Sequence, residues 1–225
     1  MGTDMYDGLL LVNKPKGWTS HDAVAKVRNT LKKQAGHKIK VGHTGTLDPL
    51  ATGLLVLLIG SYCKKAQQFS KLDKTYEAKI KLGYNSSTGD SEGDKQAIND
   101  NKPMAGQVKS VLNSFIGDIQ QMPPAYSAVK VNGKRAYKLA REGKEVKIEP
   151  RTVTIYDINE ISYKYPYISF MVNVSSGTYI RSLAEDIGKK LQTGAYLASL
   201  NRTKVGKFNL EDSKDPNTIN LDKIQ

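Results

Sequence analysis

Cysteine is almost absent: Cys63 is the single one in 225 residues. A lone thiol closes no intramolecular disulfide and supplies no cysteine-based zinc cluster, which fits a reducing cytosol. Long apolar runs are missing too. The longest, Leu54–Ile59, falls far short of the roughly 20 residues a membrane-spanning helix requires. The first residues, Met1-Gly2-Thr3-Asp4, show no basic segment followed by an apolar stretch. No signal peptide is therefore expected, and a cytoplasmic location is. Acid is in short supply as well, with 22 Asp and Glu facing 34 Lys and Arg.

What is present describes a globular chain. Its hydrophobic share of 39% is enough for a core, and the length suits one large domain or two small ones. The formal charge of +12 and a pI near 9.5 point to a polyanionic partner, because Lys and Arg that neutralise phosphates release condensed counterions. The charge is concentrated. Residues 130–151 hold eight bases against three acids, with Tyr126 and Tyr137 in or beside them, whereas residues 209–225 hold four acids and two bases. Nucleic acid is the leading partner, ahead of an anionic protein or membrane surface.

Strand and helix patterns alternate along the chain. Leu9–Val12 reads as a strand closed by Asn13 and Pro15. Ser20 is a candidate cap for a helix through Lys33, with Val24, Val27 and Leu31 on one face and Gly36 as its end. Leu54–Ile59 reads as a buried strand, and the alternation from Tyr76 to Tyr84 as a half-buried one. The Gly-, Ser-, Asp- and Asn-rich segment 85–102 is expected to be a mobile loop. Val108, Val111, Leu112 and Phe115 mark a helix ended by Gly117. Asn132-Gly133 signals a hairpin. Val153–Ile161 and Ile168–Val174 look like adjacent antiparallel strands, and Gly177-Thr178 opens a helix carrying Ile180, Leu183, Ile187 and Leu191. No repeat or linker divides the chain. The sum is one α+β domain on a mainly antiparallel sheet.

Chemistry concentrates in Gly42-His43-Thr44-Gly45-Thr46-Leu47-Asp48-Pro49-Leu50-Ala51-Thr52-Gly53. Three glycines and small hydroxyl residues make a tight loop whose backbone can approach a ligand. Pro49 biases Asp48 toward extended backbone, which tends to hold its carboxylate in one place. An ordinary Asp turn is the bland alternative for such a segment taken alone.

The loop resembles the motif of the bacterial tRNA pseudouridine synthase B (TruB) family, and further blocks occur in that family's order. They are Lys74-Thr75-Tyr76-Glu77-Ala78, Pro123-Pro124-Ala125-Tyr126-Ser127-Ala128-Val129-Lys130, Gly177-Thr178-Tyr179-Ile180-Arg181-Ser182-Leu183-Ala184, and Gly194-Ala195-Tyr196-Leu197 continuing to Leu200-Asn201-Arg202-Thr203. The resemblance implies a pseudouridine-synthase-type catalytic domain over residues 1–208, with a mixed, mainly antiparallel central sheet flanked by helices and a basic RNA-binding hairpin at about 124–151. It implies isomerisation of uridine 55 in the T-loop of tRNA, with the N-glycosidic bond cleaved and the base rejoined through C5.

By the same resemblance Asp48 is the nucleophile, Arg181 its ion-pair partner and Tyr76 the stacking residue. Tyr179, Leu200 and His43 line the RNA site, and Lys64, Lys65, Lys130 and Arg141 are candidates for phosphate. Asp48 must be ionised, and a nearby cation favours that form. The uridine must leave its stack to react. Whether Asp48 attacks ribose or base, or removes a ribose proton, stays open. The bland readings are a core tyrosine for Tyr76, a core leucine for Leu200 and a solvated face for several hairpin lysines; Cys63 reads as an inert small hydrophobe.

An isomerisation needs no cofactor or metal, so none is expected. A monomer without an obligate protein partner and without a membrane is expected as well. Two features depart from the family. Only 17 residues follow Phe208, too few for the PUA-type C-terminal domain common among members, so residues 209–225 are expected to be a short acidic tail. Asn201 also stands where a basic residue is usual. Two other functions compete with the leading one: the same reaction on a T-loop-like hairpin of ribosomal RNA, and an RNA-binding protein that no longer catalyses.

Overall fold

The structure is a computed structural model that describes residues 6–127, 129–131, 133–142 and 148–224, with nothing said of the side chains of residues 130, 131, 135, 137, 140 and 141. In chain order its elements are β1 (Gly8–Lys14), α1 (Ser20–Ala35), β2 (Val41–His43), β3 (Thr52–Ile59), a 3₁₀ turn (Gly60–Lys65), α2 (Ala66–Ser70), β4 (Lys74–Leu82), β5 (Tyr84–Ser86) and β6 (Lys95–Ala97). Then come α3 (Ala105–Asn113), β7 (Gly117–Gln121), β8 (Lys130–Val131), β9 (Lys134–Arg135), α4 (Ala136–Arg141), β10 (Arg151–Lys164), β11 (Tyr167–Val174), α5 (Ile180–Lys190), β12 (Ala195–Val205) and β13 (Phe208–Asn209). The chain forms two compact units: the described residues of Met1–Tyr76 with Leu200–Gln225, and Glu77–Ser199.

In the first unit β3 is the central strand. β1 pairs with it antiparallel from Gly8↔Ile59 to Lys14↔Gly53. Along its other edge β2 pairs antiparallel at one end, Val41↔Ile59 to His43↔Leu57, and β12 pairs parallel at the other, Asn201↔Thr52 and Arg202↔Gly53. The run Leu54–Ile59 does not alternate because both of its faces are covered. Leu55, Leu57 and Ile59 pack with Leu10, Val12 and the α1 residues Val24, Val27 and Leu31. Leu54 and Val56 pack with Leu11, Val205 and Phe208 on the opposite face. A strand buried on both sides loses the period-2 signature and is recognised by its length alone.

Helix α1 begins one residue earlier than expected in its cap. Thr19, not Ser20, is the N-cap: its hydroxyl accepts from the Asp22 N–H at 3.1 Å, and the Asp22 carboxylate accepts from the Thr19 N–H at 2.8 Å. This reciprocal pair is a capping box. Gly36 ends the helix in the left-handed region at φ 76°, a conformation glycine adopts without steric cost.

Residues beyond Phe208 fold back on this unit. Lys214 bridges to β1 through Asn13 N–H → Lys214 O and Lys214 N–H → Leu11 O, at 2.9 and 3.0 Å. Ile219 is buried at 3% exposure in the α1 core, with Leu221 and Ile224 packed against it.

The second unit has a sheet of order β4-β11-β10-β7. β10 and β11 form the expected antiparallel pair, with irregularities between Ile155 and Asp157 and between Asn159 and Ser162. β7 pairs antiparallel with β10 from Gln121↔Arg151 to Gly117↔Ile155. On β4 the alternation is clear: Ala78, Ile80 and Leu82 are buried, while Glu77 and Lys79 are exposed. Helix α3 packs against α5 and β10.

Two expectations are corrected here. The polar segment 85–102 is not one loop: β5 and β6 pair antiparallel from Tyr84↔Ala97 to Ser86↔Lys95. Asp90, buried within the turn, accepts from the Thr88 hydroxyl at 2.5 Å and from the Glu92 N–H at 3.0 Å. Gly117 does not end the α3 helix, which stops at Asn113; at φ 107° it opens β7 instead. The Asn132-Gly133 hairpin is present as β8 and β9, paired Lys130↔Arg135 and Val131↔Lys134, although Asn132 lies outside the described residues.

Candidate active site

The Gly42–Gly53 segment connects β2 to β3, and side chains from distant parts of the first unit pin it. Thr44 donates to the Val56 carbonyl through its N–H at 3.2 Å and its hydroxyl at 3.3 Å. Ser20, freed from capping, holds Leu47 at two points: its hydroxyl accepts from the Leu47 N–H at 2.7 Å and donates to the Leu47 carbonyl at 3.1 Å. On the other side of Asp48, the Pro49 carbonyl accepts from the Gly17 N–H at 2.8 Å. The Asp48 carbonyl itself accepts from the Ala51 N–H at 3.0 Å. Asp48 is thus half-buried between two anchored neighbours. A carboxylate presented this way loses little freedom when a substrate arrives.

Arg202 is the deepest anchor. It is 2% exposed. Its Nε donates to the Leu54 carbonyl at 2.7 Å and its Nη2 to the Gly45 carbonyl at 3.1 Å, so one guanidinium ties the two ends of the loop. The fork geometry suits two carbonyls at once. Gly53 is required where β3 meets β12: its φ is +103°, and an added Cβ would stand 2.4 Å from the Arg202 carbonyl oxygen. The Thr52 hydroxyl donates to the Leu200 carbonyl at 3.4 Å and to Asn201 Oδ1 at 3.2 Å, which sets the half-buried Leu200 beside the end of the loop.

Tyr76 is 8% exposed, on the same inward side of β4 as Lys74. Lys74 donates to the Ser70 carbonyl at 2.6 Å. Burial, reinforced by the positive charge of Arg202, pushes the Lys74 ammonium down from the usual 10.5 to about 8. His43 is half-buried on β2 and Lys64 is exposed on the 3₁₀ turn. Burial pushes the Cys63 thiol up, away from the reactive thiolate, and its Sγ donates to the Leu58 carbonyl at 3.2 Å.

Tyr179 and Arg181 belong to the second unit, at the start of α5. Tyr179 is the N-cap residue. The buried Gln121 side chain clamps its backbone, accepting from the Tyr179 N–H at 2.8 Å and donating to its carbonyl at 3.0 Å. Arg181 is 5% exposed. Its Nη1 donates to the Thr88 carbonyl at 3.0 Å and its Nη2 to the Tyr126 carbonyl at 2.9 Å, while its Nε lies 3.9 Å from the Asp90 carboxylate. Thr88 and Tyr126 also line a cavity of about 240 Å³ floored by Ser182 and Glu185. Burial holds the Glu185 carboxyl above the usual range, against the opposing charges of Lys189 and Arg181.

Asp48, His43, Tyr76, Leu200 and Lys64 therefore share one unit, and Tyr179 and Arg181 the other. The side chains of Lys130 and Arg141 lie outside the described residues. Sequence reasoning missed the Ser20, Arg202 and Gln121 anchors. The Thr19-x-x-Asp22 spacing could have released Ser20 from the capping role; nothing local marks Arg202 or Gln121, whose partners are 148 and 58 residues away. Among the described residues no cluster of His, Cys, Asp and Glu is arranged to hold a metal ion.

Comparison with known proteins matches these features to one family. The family description "TruB family pseudouridylate synthase (N terminal domain)" matches residues 28–180, and "tRNA pseudouridylate synthase B C-terminal domain" matches residues 181–225. The chain belongs to the TruB family of pseudouridylate synthases. It is 46% identical over 218 residues to tRNA pseudouridine synthase B of Clostridium novyi (strain NT), covering 97% of this chain and 74% of that protein. With the protein of the same name from Dechloromonas aromatica (strain RCB) it shares 48% over 207 residues, 92% of this chain and 68% of the other. Among solved structures, a chain in a Cbf5-Nop10-Gar1 complex superposes with a TM-score of 0.70 at 30% identity, over 92% of this chain. The chain spans about half, 52%, of that neighbour's length.

Proposed function

We propose that this chain is a tRNA pseudouridine synthase acting on uridine 55 of the T-loop. The observation that carries the reading is the Asp48 loop, pinned at its backbone on both sides of the aspartate, in a chain 46% identical to a tRNA pseudouridine synthase B. In the reaction the N1–C1′ bond breaks, the base turns, and a C5–C1′ bond forms. The C5 proton is lost and N1 gains one, so atoms balance without a cofactor.

Asp48 acts as the nucleophile. Arg181 supplies the cation that keeps Asp48 ionised, consistent with a guanidinium held rigid by two carbonyls. Tyr76 forms the stacking wall for the extruded uracil, His43, Tyr179 and Leu200 line the RNA site, and Lys64, Lys130 and Arg141 meet phosphates. The enzyme works as a single chain on the T-arm, in the cytoplasm where tRNA is matured.

Tritium release from tRNA labelled at uridine C5 tests this reading. Wild type is expected to release label from a T-arm stem-loop, and Asp48→Ala to release none while still binding. Binding without release by wild type refutes it, and release from a ribosomal fragment alone refutes the choice of substrate.

A further inference from the structure

Helix α5 starts without a side-chain cap of its own. Tyr179, its N-cap residue, has extended backbone at φ −102° and ψ 110°, and its side chain makes no capping hydrogen bond. The preceding segment is pinned further back, at Ser175. The Ser175 N–H donates to the Thr154 carbonyl of β10 at 2.9 Å, and its hydroxyl accepts from the Thr154 N–H at 2.8 Å. Between Ser175 and Tyr179 the chain turns at Gly177, φ 89°. Gln121 supplies the missing anchor. Its backbone is fixed in the sheet opposite Arg151, and the residue is 1% exposed. One carboxamide satisfies both backbone groups of Tyr179, accepting from the N–H at 2.8 Å and donating to the carbonyl at 3.0 Å. A carboxamide presents an acceptor and a donor side by side, whereas a carboxylate only accepts. The same Tyr179 carbonyl also accepts the Leu183 N–H of the first helical turn at 3.1 Å. Next to this clamp, the Ser182 hydroxyl donates to the Met122 carbonyl at 2.7 Å.

We infer that Gln121 is a positioning residue for the reaction: its carboxamide fixes the backbone of Tyr179 and so aims the Tyr179 ring at the substrate uridine. The φ and ψ of Tyr179 set the direction of its Cα–Cβ bond, and a single side chain 58 residues away holds both flanking groups. A half-buried ring held in this way is in place before the uridine arrives. The Ser182–Met122 bond ties the same helix to the same segment without touching Tyr179. It therefore separates the stability of this seam from the aim of the ring. The inference rests on the function proposed above and on the role given there to Tyr179.

Its test is a double-mutant cycle, read by single-turnover tritium release at saturating T-arm stem-loop. Gln121→Met keeps the size of the side chain and removes the paired donor and acceptor. It is expected to lower the rate by about 10- to 100-fold, the scale of a misplacement near 1 Å, with stem-loop affinity unchanged. Tyr179→Ala lowers the rate on its own. Adding Gln121→Met to it should cost less than about twofold more, because the ring being aimed is gone. Ser182→Ala should lower the urea midpoint and keep the wild-type rate. Gln121→Asn draws the amide back by one methylene and should repeat the rate loss and the non-additivity, so a folding defect in Gln121→Met does not decide the outcome. Losses that multiply in the double variant overturn the inference, as does a wild-type rate in every folded Gln121 variant. A rate loss in Ser182→Ala as large as that in Gln121→Met overturns it as well. Each of these leaves release by wild type as the separate measure of function; no release by wild type overturns the inference together with the reading it rests on.

Discussion

Ser20→Ala removes one oxygen atom yet strips both backbone groups of Leu47 of their partner. Ser20 is 2% exposed and Leu47 3%, so water cannot readily replace the hydroxyl. Leaving a buried N–H or C=O unpaired costs about 1–3 kcal/mol each. The two bonds, at 2.7 and 3.1 Å, together place the loss at about 2–6 kcal/mol. For a chain of this size that lowers Tm by about 2–4 °C per kcal/mol. The functional consequence is sharper, because Leu47 immediately precedes Asp48. In the nucleophile role proposed for Asp48, a displacement of about 1 Å costs up to a hundredfold in rate. The deficit should appear in single-turnover tritium release at saturating tRNA, with affinity unchanged.

Thr19→Ala is the control. It breaks the helix cap, costs about 1 kcal/mol, and should leave the rate intact. Urea denaturation measures the stability of both variants. A Ser20→Ala protein with wild-type midpoint and wild-type rate would refute the argument. Equal rate losses in the two variants would show that helix α1 as a whole, rather than the Ser20 clamp, positions the loop.

Other expectations follow from the same interior. Lys74 titrates near 8 in the folded chain and near 10.5 when unfolded. The unfolded state therefore binds more protons between those values, and stability should rise with pH across that window. Below about 8 Lys74 is charged in both states and its burial cost is fully present; Lys74→Met should flatten the rise, and urea midpoints at pH 7.5 and 9.5 would detect either outcome. Ile219→Ala should destabilise the chain by about 2–4 kcal/mol in the same urea assay, because Ile219 is buried against the α1 core; a change below about 0.5 kcal/mol, the range of ordinary surface substitutions, would return residues beyond Phe208 to a loosely attached tail. Gly53→Ala should lower Tm or prevent folding, since the new Cβ meets the Arg202 backbone oxygen at 2.4 Å in a left-handed region; a Tm within 1–2 °C of wild type, on the scale of about 2–4 °C per kcal/mol, would contradict the close packing of β3 on β12.

Local order was legible in the residues wherever it follows from neighbours a few positions apart. The periodicity of Val24, Val27 and Leu31 marked α1, the alternation after Tyr76 marked β4, and the turn signals marked the β8–β9 hairpin. The Asp48 loop and the family blocks were legible for the same reason, since each is contiguous in the chain. β2, β7 and β12 were not, because short or mixed strands take their identity from partners elsewhere in the sheet. The β5–β6 hairpin was hidden by a polar composition whose order comes from Asp90 and its hydrogen bonds rather than from apolar burial.

The amino-acid sequence alone determined that this is a basic, α+β, disulfide-free chain, which residue carries the carboxylate, and to which family its motifs point. Those properties reside in residue identity and short-range order. Only the tertiary structure decided what anchors the backbone of the loop that carries that carboxylate. Ser20 is 27 residues from Leu47, and Arg202 is 148 from Leu54 and 157 from Gly45. Contacts closed over such separations leave no periodic trace. The Arg202 contacts follow from the pairing of β12 with β3, and Ile219 is buried with the α1 core.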